Sequence, residues 1–113
     1  MEAVTGLTDK VSRELDILLG IIRTYASVRS IILFGSTATG TRTGESDIDL
    51  LVLIADEEQN EPISSAQIWR DSFGKISFPL DVIIETVKDF EERKNFPTLE
   101  RKIAREGKVL YAA

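Results

Sequence analysis

The chain has 113 residues, a net charge of −5 and 42% apolar residues, the composition of one soluble globular domain rather than a disordered segment. Its acidic balance, with a pI near 4.8, argues against broad electrostatic binding of nucleic acid, which needs a basic face, but not against nucleotides, whose charge metal ions can offset. With no cysteine and no histidine it cannot build disulfides, thiolate zinc sites, Ser-His-Asp triads or Cys-His pairs. A catalytic base would be a carboxylate, lysine, tyrosine or water, and a bound metal would be a hard ion held by oxygen. Met1 to Thr8 carries Glu2 and lacks an apolar signal core, and no apolar run approaches membrane-spanning length, so the expected home is the cytoplasm.

Val11, Leu15, Leu18, Ile22 and Tyr25 recur at helical spacing and predict a helix over about 8–26. Ser30-Ile31-Ile32-Leu33-Phe34 reads as a short buried strand. Gly35-Ser36 is a strand-to-helix turn, followed by one helical turn over 37–40 and a loop over 41–46. Ile48 to Ala55 predicts a second buried strand, and the acidic run from Asp56 to Pro62 a solvated loop. Ser64 and Gln67 form a capping box, with Ala66, Trp69, Phe73 and Ile76 behind it at helical spacing, read as a core face rather than a base-stacking platform. A third strand is expected over Leu80 to Glu85, a short helix capped by Thr86 through about Arg93, a helix opened by Pro97 and closed near Gly107, and an edge strand over Val109 to Tyr111. That order predicts an α/β (α+β) chain, a small mixed sheet flanked by helices, in a single domain over 1–113.

The chemistry concentrates in the Gly35-to-Leu50 stretch. On a strand, residues i and i+2 share a face, so Asp47 and Asp49 project together with Ile48 behind them. Like charges at that range repel, and a divalent cation between them relieves the repulsion. If the strand opened by Asp81 pairs beside them, three carboxylates can hold two metal ions roughly 3.5–4 Å apart, the arrangement that serves in-line displacement at phosphorus. Gly35 lets the backbone approach a phosphate closely, the next helical turn offers unpaired N–H groups, and Ser36 adds a hydroxyl donor. An Asp-x-Asp pair alone, or Gly-Ser alone, is ordinary turn punctuation. What changes the reading is their order: strand, Gly-Ser, loop, Ser46-Asp47-x-Asp49, strand, and a later aspartate opening a third strand. Glu85, on the same face as Asp81, reads as a surface or supporting group, and Arg42 as a solvated loop residue.

Gly35-Ser36, ten intervening residues and Asp47-x-Asp49 resemble the signature of the DNA polymerase β-like nucleotidyltransferase superfamily. The small size and the run Ser46-Asp47-Ile48-Asp49-Leu50-Leu51-Val52 resemble its minimal nucleotidyltransferase (MNT) branch. Leu80-Asp81-Val82-Ile83 and Ile103 to Tyr111 are similar to its later landmarks, so the likeness spans about 31–111. The resemblance implies the polymerase β-like palm fold. It implies that Asp47, Asp49 and Asp81 bind two Mg²⁺ ions (or Mn²⁺), and that Gly35 and Ser36 hold the phosphates of ATP. It also implies an antitoxin of a type VII-like toxin–antitoxin module, whose partner is a HEPN-domain toxin silenced by transfer of AMP to a tyrosine. One departure stands out: Thr39 occupies the place before Gly40 where many relatives carry arginine.

The expected activity is therefore magnesium-dependent transfer of AMP from ATP to a protein hydroxyl, with Asp81 nearest to the acceptor proton. No direct contact with nucleic acid or membrane is expected, and assembly as a homodimer or with the acceptor is. Two other readings stay open: an antitoxin that neutralises its partner by stoichiometric binding, and a small-molecule nucleotidyltransferase of the aminoglycoside-modifying kind.

Overall fold

The computed structural model describes residues 6–41, 47–56 and 63–113. Arg42, Gly44 and Ser46 of the loop and the acidic run beyond Asp56 lie outside them. Helix α1 (Asp9–Arg23) begins at Thr8, whose hydroxyl accepts from the Val11 amide and so satisfies one orphan donor of the first turn. Leu15, Leu18 and Ile22 are buried on the face the spacing predicts, with Val11 and Tyr25 packed at its margin.

The chain continues through β1 (Val28–Phe34), α2 (Ser36–Thr39), β2 (Ile48–Ile54), α3 (Ser65–Ser72), β3 (Leu80–Thr86), α4 (Val87–Arg93), α5 (Leu99–Glu106) and β4 (Lys108–Ala112). These strands form one sheet in the order β3-β2-β1-β4. β1 runs antiparallel to β2 and β4, whereas β2 and β3 are parallel, joined across α3. The mixed sheet with flanking helices is the architecture expected from the element order.

Strand alternation divides the core in two. Ile31, Leu33, Ile48, Leu50, Val52 and Val82 pack with Leu18 and Ile22 of α1 and Ile68 of α3. Ile32, Leu51 and Leu53 pack with Phe90 of α4 and Ile103 of α5. β2 is buried on both faces, which is why it reads as a continuous apolar run. Among the described residues no helix is long and apolar enough to cross a membrane.

Two expectations need correction. The capping box of Ser64 and Gln67 forms, but α3 stops at Ser72 and buries Ile68 and Ser72 instead of Ala66, Trp69 and Phe73. Trp69 is 56% exposed and Phe73 87% exposed, so neither belongs to the core. The helix phase is set by the small Ser72 and branched Ile68, four residues apart, and by Tyr25, whose hydroxyl donates to Asp71 at 2.5 Å. Second, α5 starts at Leu99 under a Thr98 cap, two residues after Pro97. Gly107 ends α5 as expected, in extended backbone (φ −68°). Its smallness serves close packing: a β-carbon there would lie 2.5 Å from the Ile103 carbonyl and 2.7 Å from Ile32 Cγ2.

Candidate active site

Three chain segments meet at one end of the sheet. Asp49 and Asp81, each the second residue of its strand, are partners in the parallel β2–β3 register. Neighbouring strands lie about 4.8 Å apart, so both carboxylates leave the same face side by side. Ile48 and Leu50 point the other way and are fully buried, which fixes the face Asp49 takes. The Ile48 amide donates to the Pro79 carbonyl at 2.8 Å, tying the start of β2 to the entry of β3. Asp47 and Asp81 are exposed, and Asp49 is half-buried.

On its other side Asp49 pairs with Phe34, the last residue of β1. The next residue, Gly35, has φ +75°, a conformation that favours glycine. A β-carbon on Gly35 would overlap Oδ2 of Asp49. The turn and the carboxylate are thus in direct apposition. In α2 the amides of Ala38 and Thr39 donate to the Gly35 carbonyl, at 3.1 and 3.2 Å. The first amides of the turn, those of Ser36 and Thr37, have no acceptor within a helix. Gly40 closes the turn in the left-handed form, and Thr39 Oγ1 lies 3.0 Å from Thr41 Oγ1.

The Asp49 carboxyl titrates above the usual carboxylate range, first because it is buried and then because Asp81 and Asp47 place negative charge on it. Asp81 and Asp47 thus both lie near enough to Asp49 to bear on its charge. Among the described residues, no three acidic side chains enclose an ion-sized site as they stand. The donor set nevertheless suits a hard divalent cation: all three groups offer carboxylate oxygens, their mutual repulsion is what a cation offsets, and Asp49 can take its place only because Gly35 lacks a side chain.

Two cavities lie near these residues, one on each face of the sheet. Toward α5, a cavity of about 160 Å³ is lined by Phe34, Gly35, Leu99, Lys102, Ile103 and Glu106. Lys102 and Glu106 share this lining with Gly35, a neighbourhood that sequence reasoning missed: nothing but their place beside Ile103 on a helix could have signalled it. Toward β3, a groove of about 480 Å³ has Asp47 in its lining together with Trp69, Phe73 and Phe78. Glu85 is not part of this constellation. It lies four residues along β3 from Asp81, about 13 Å away. Burial, followed by Glu100, pushes its carboxyl up.

The polymerase beta nucleotidyltransferase family model matches residues 16–113. Over 84 residues the chain is 33% identical to MJ0604 of Methanocaldococcus jannaschii, which bears the provisional name of a protein adenylyltransferase; the match covers 74% of this chain and 79% of that one. A crystal structure of a toxin–antitoxin with AMP-PNP shares the fold, with a TM-score of 0.59, 23% identity and coverage of 89% of this chain and 73% of that chain. A variant of the toxin–antitoxin MntA-HpeT does so at a TM-score of 0.59 and 24% identity, covering 96% and 75%. The matched span runs from α1 through every strand that positions the aspartates and the Gly35 turn, and on that ground the chain belongs to the polymerase beta nucleotidyltransferase family and is a nucleotidyltransferase.

Proposed function

We propose that the protein transfers AMP from ATP to a tyrosine hydroxyl of a HEPN-domain toxin and thereby acts as its antitoxin. The observation that carries this reading is the apposition of Asp49 with Asp81 on one side and Gly35 on the other. It is supported by the name of the M. jannaschii relative and by the toxin–antitoxin pairs that share the fold.

Asp47, Asp49 and Asp81 would hold magnesium, which when bound supplies charge neutralisation at the phosphates. Gly35 and Ser36 hold the outer phosphates with backbone N–H groups and the Ser36 hydroxyl. Lys102 adds a positive charge at that end, where Thr39 is uncharged. The acceptor oxygen attacks the α-phosphorus, a new P–O ester bond forms, and the bond from the α-phosphorus to the bridging oxygen breaks. Pyrophosphate leaves with that electron pair, and the acceptor proton passes to an Asp81 carboxylate oxygen. No histidine is present to take it.

The test is intact mass measurement of the toxin after incubation with this protein, ATP and magnesium. A gain in whole AMP units supports the reading. An unmodified toxin that is nonetheless neutralised would replace it with inhibition by contact alone.

A further inference from the structure

We propose that the exposed side of α5 is the polyphosphate side of the site: Lys102 holds the outer phosphates of the nucleotide, and Arg101 and Arg105 draw that anion toward an otherwise acidic protein. This rests on the nucleotidyltransferase reading above and adds the residues that tell a nucleoside triphosphate from a monophosphate.

Helix α5 lies over the face of the sheet that the aspartates take. Its Ile103 packs in one cluster with Leu51 and Leu53 of β2, which share the alternation of Asp49, and with Ile83 of β3, which shares that of Asp81. Lys102, the next residue back along α5, lines the cavity of about 160 Å³ that ends at Phe34 and Gly35. Phe34 is the register partner of Asp49, and Gly35 abuts the Asp49 carboxylate, so this cavity adjoins the acids on their own face of the sheet. Lys102 also lines a second cavity, of about 580 Å³, with Pro97, Thr98, Arg101, Arg105 and Glu106. The two share Lys102 and Glu106, so the basic side of α5 runs to the Gly35 turn without crossing the sheet.

The needs of the fold do not account for these cations. Arg101, Lys102 and Arg105 are exposed, and like charges four residues apart on a helix, as at Arg101 and Arg105, weaken it. Around α4 the cations are paired, Arg93 with Glu100 and Lys94 with Glu91. Among the described residues Arg101, Lys102 and Arg105 have no such ion pair, although Glu106 shares both linings with Lys102. Residues 93–108 hold six Lys and Arg against two Glu, in a chain of net charge −5. Positive charge is thus concentrated on the segment that adjoins the site, and a cleft of one sign raises the local concentration of the opposite ion. The three aspartates repel a polyanion, so its outer phosphates require cations on the α5 side of Gly35.

Affinity for AMP-PNP with magnesium, and for AMP, would be measured by titration calorimetry on the wild type, Lys102→Ala and Lys102→Arg. Lys102 is exposed, so its truncation opens no core. The proposal expects Lys102→Ala to bind AMP-PNP about tenfold more weakly and AMP within about twofold of wild type, with Lys102→Arg recovering most of the loss. Replacing Arg101 and Arg105 together by Gln is expected to slow AMP-PNP association and to flatten its fall with rising salt. An unchanged salt dependence in that pair would overturn the steering role. Unchanged AMP-PNP affinity in Lys102→Ala, or equal weakening of both nucleotides, would overturn the phosphate contact. So would a Lys102→Ala protein that binds the proposed partner toxin less well but AMP-PNP as the wild type does, since α5 would then be a protein-contact surface. The nucleotide titrations use no toxin: the expected result beside a toxin that stays unmodified would sink the transferase reading and leave this one standing.

Discussion

Gly35 and Asp49 compete for one volume: the Asp49 carboxylate fills the space a β-carbon on Gly35 would need. Two residues on different segments are thereby bound into a single requirement, since the residue after β1 must lack a side chain for β2 to present its acid. Gly35→Ala must shift that carboxylate and also hold alanine at φ +75°. The expected cost is about 1–3 kcal/mol of stability, read by urea unfolding, together with a loss of AMP transfer.

Asp49→Asn separates stability from activity. The folded state raises the carboxyl's pKa, so it binds the proton more tightly than the unfolded chain does. Its contribution to stability is present at low pH and is lost as pH rises through the raised value. Removing the charge is expected to leave the melting temperature at pH 7 equal to or above that of the wild type. Transfer should fall by about 100-fold or more, the equivalent of several kcal/mol of lost stabilisation at phosphorus. Magnesium is expected to raise the melting temperature of the wild type more than that of the variant, measured by calorimetry at matched ionic strength.

Gly107→Ala tests the packing of the α5 end against β1. The alanine methyl would meet the Ile103 carbonyl at 2.5 Å and Ile32 Cγ2 at 2.7 Å. Overpacking of this kind is expected to cost about 1–3 kcal/mol, read from the urea midpoint. A neutral outcome would mean that α5 shifts freely against β1.

Glu14 supplies a pH dependence distant from the site. Its Oε2 accepts from the Ser77 hydroxyl at 2.8 Å and from the Ser77 amide at 3.1 Å, joining α1 to the segment before β3. The hydroxyl bond is the main reason its pKa lies below the ordinary 4.5. A depressed folded value contributes stability above the unfolded pKa and loses it as pH falls through the folded one. Glu14→Gln is expected to melt slightly below the wild type at pH 7, the gap closing as pH drops below 4.5. A constant gap across that range would show that the charge is not what matters.

The sequence carried most of the sheet because its signals are local. Continuous apolar runs marked β1 and β2, and Ser64 and Thr86 marked helix starts by side-chain caps that form as expected. The aspartates were legible because period-two alternation fixes the face of Asp49 once Ile48 is assigned inward. The phase of α3 was not legible. Eight residues make little more than two turns, so Trp69 and Phe73 look like a core stripe until Ile68 and Ser72 are seen to occupy that side. Lys102 was missed for a different reason: only the return of α5 across the end of β1 brings it to Gly35.

The most direct measurement is the intact mass of the proposed partner toxin after incubation with ATP and magnesium, comparing wild-type protein with Asp49→Asn. The account predicts AMP additions with the wild type and an unchanged mass with the variant, both proteins being folded. Equal modification by the two would contradict it, because the acid seated against Gly35 and beside Asp81 would then have no part in the chemistry.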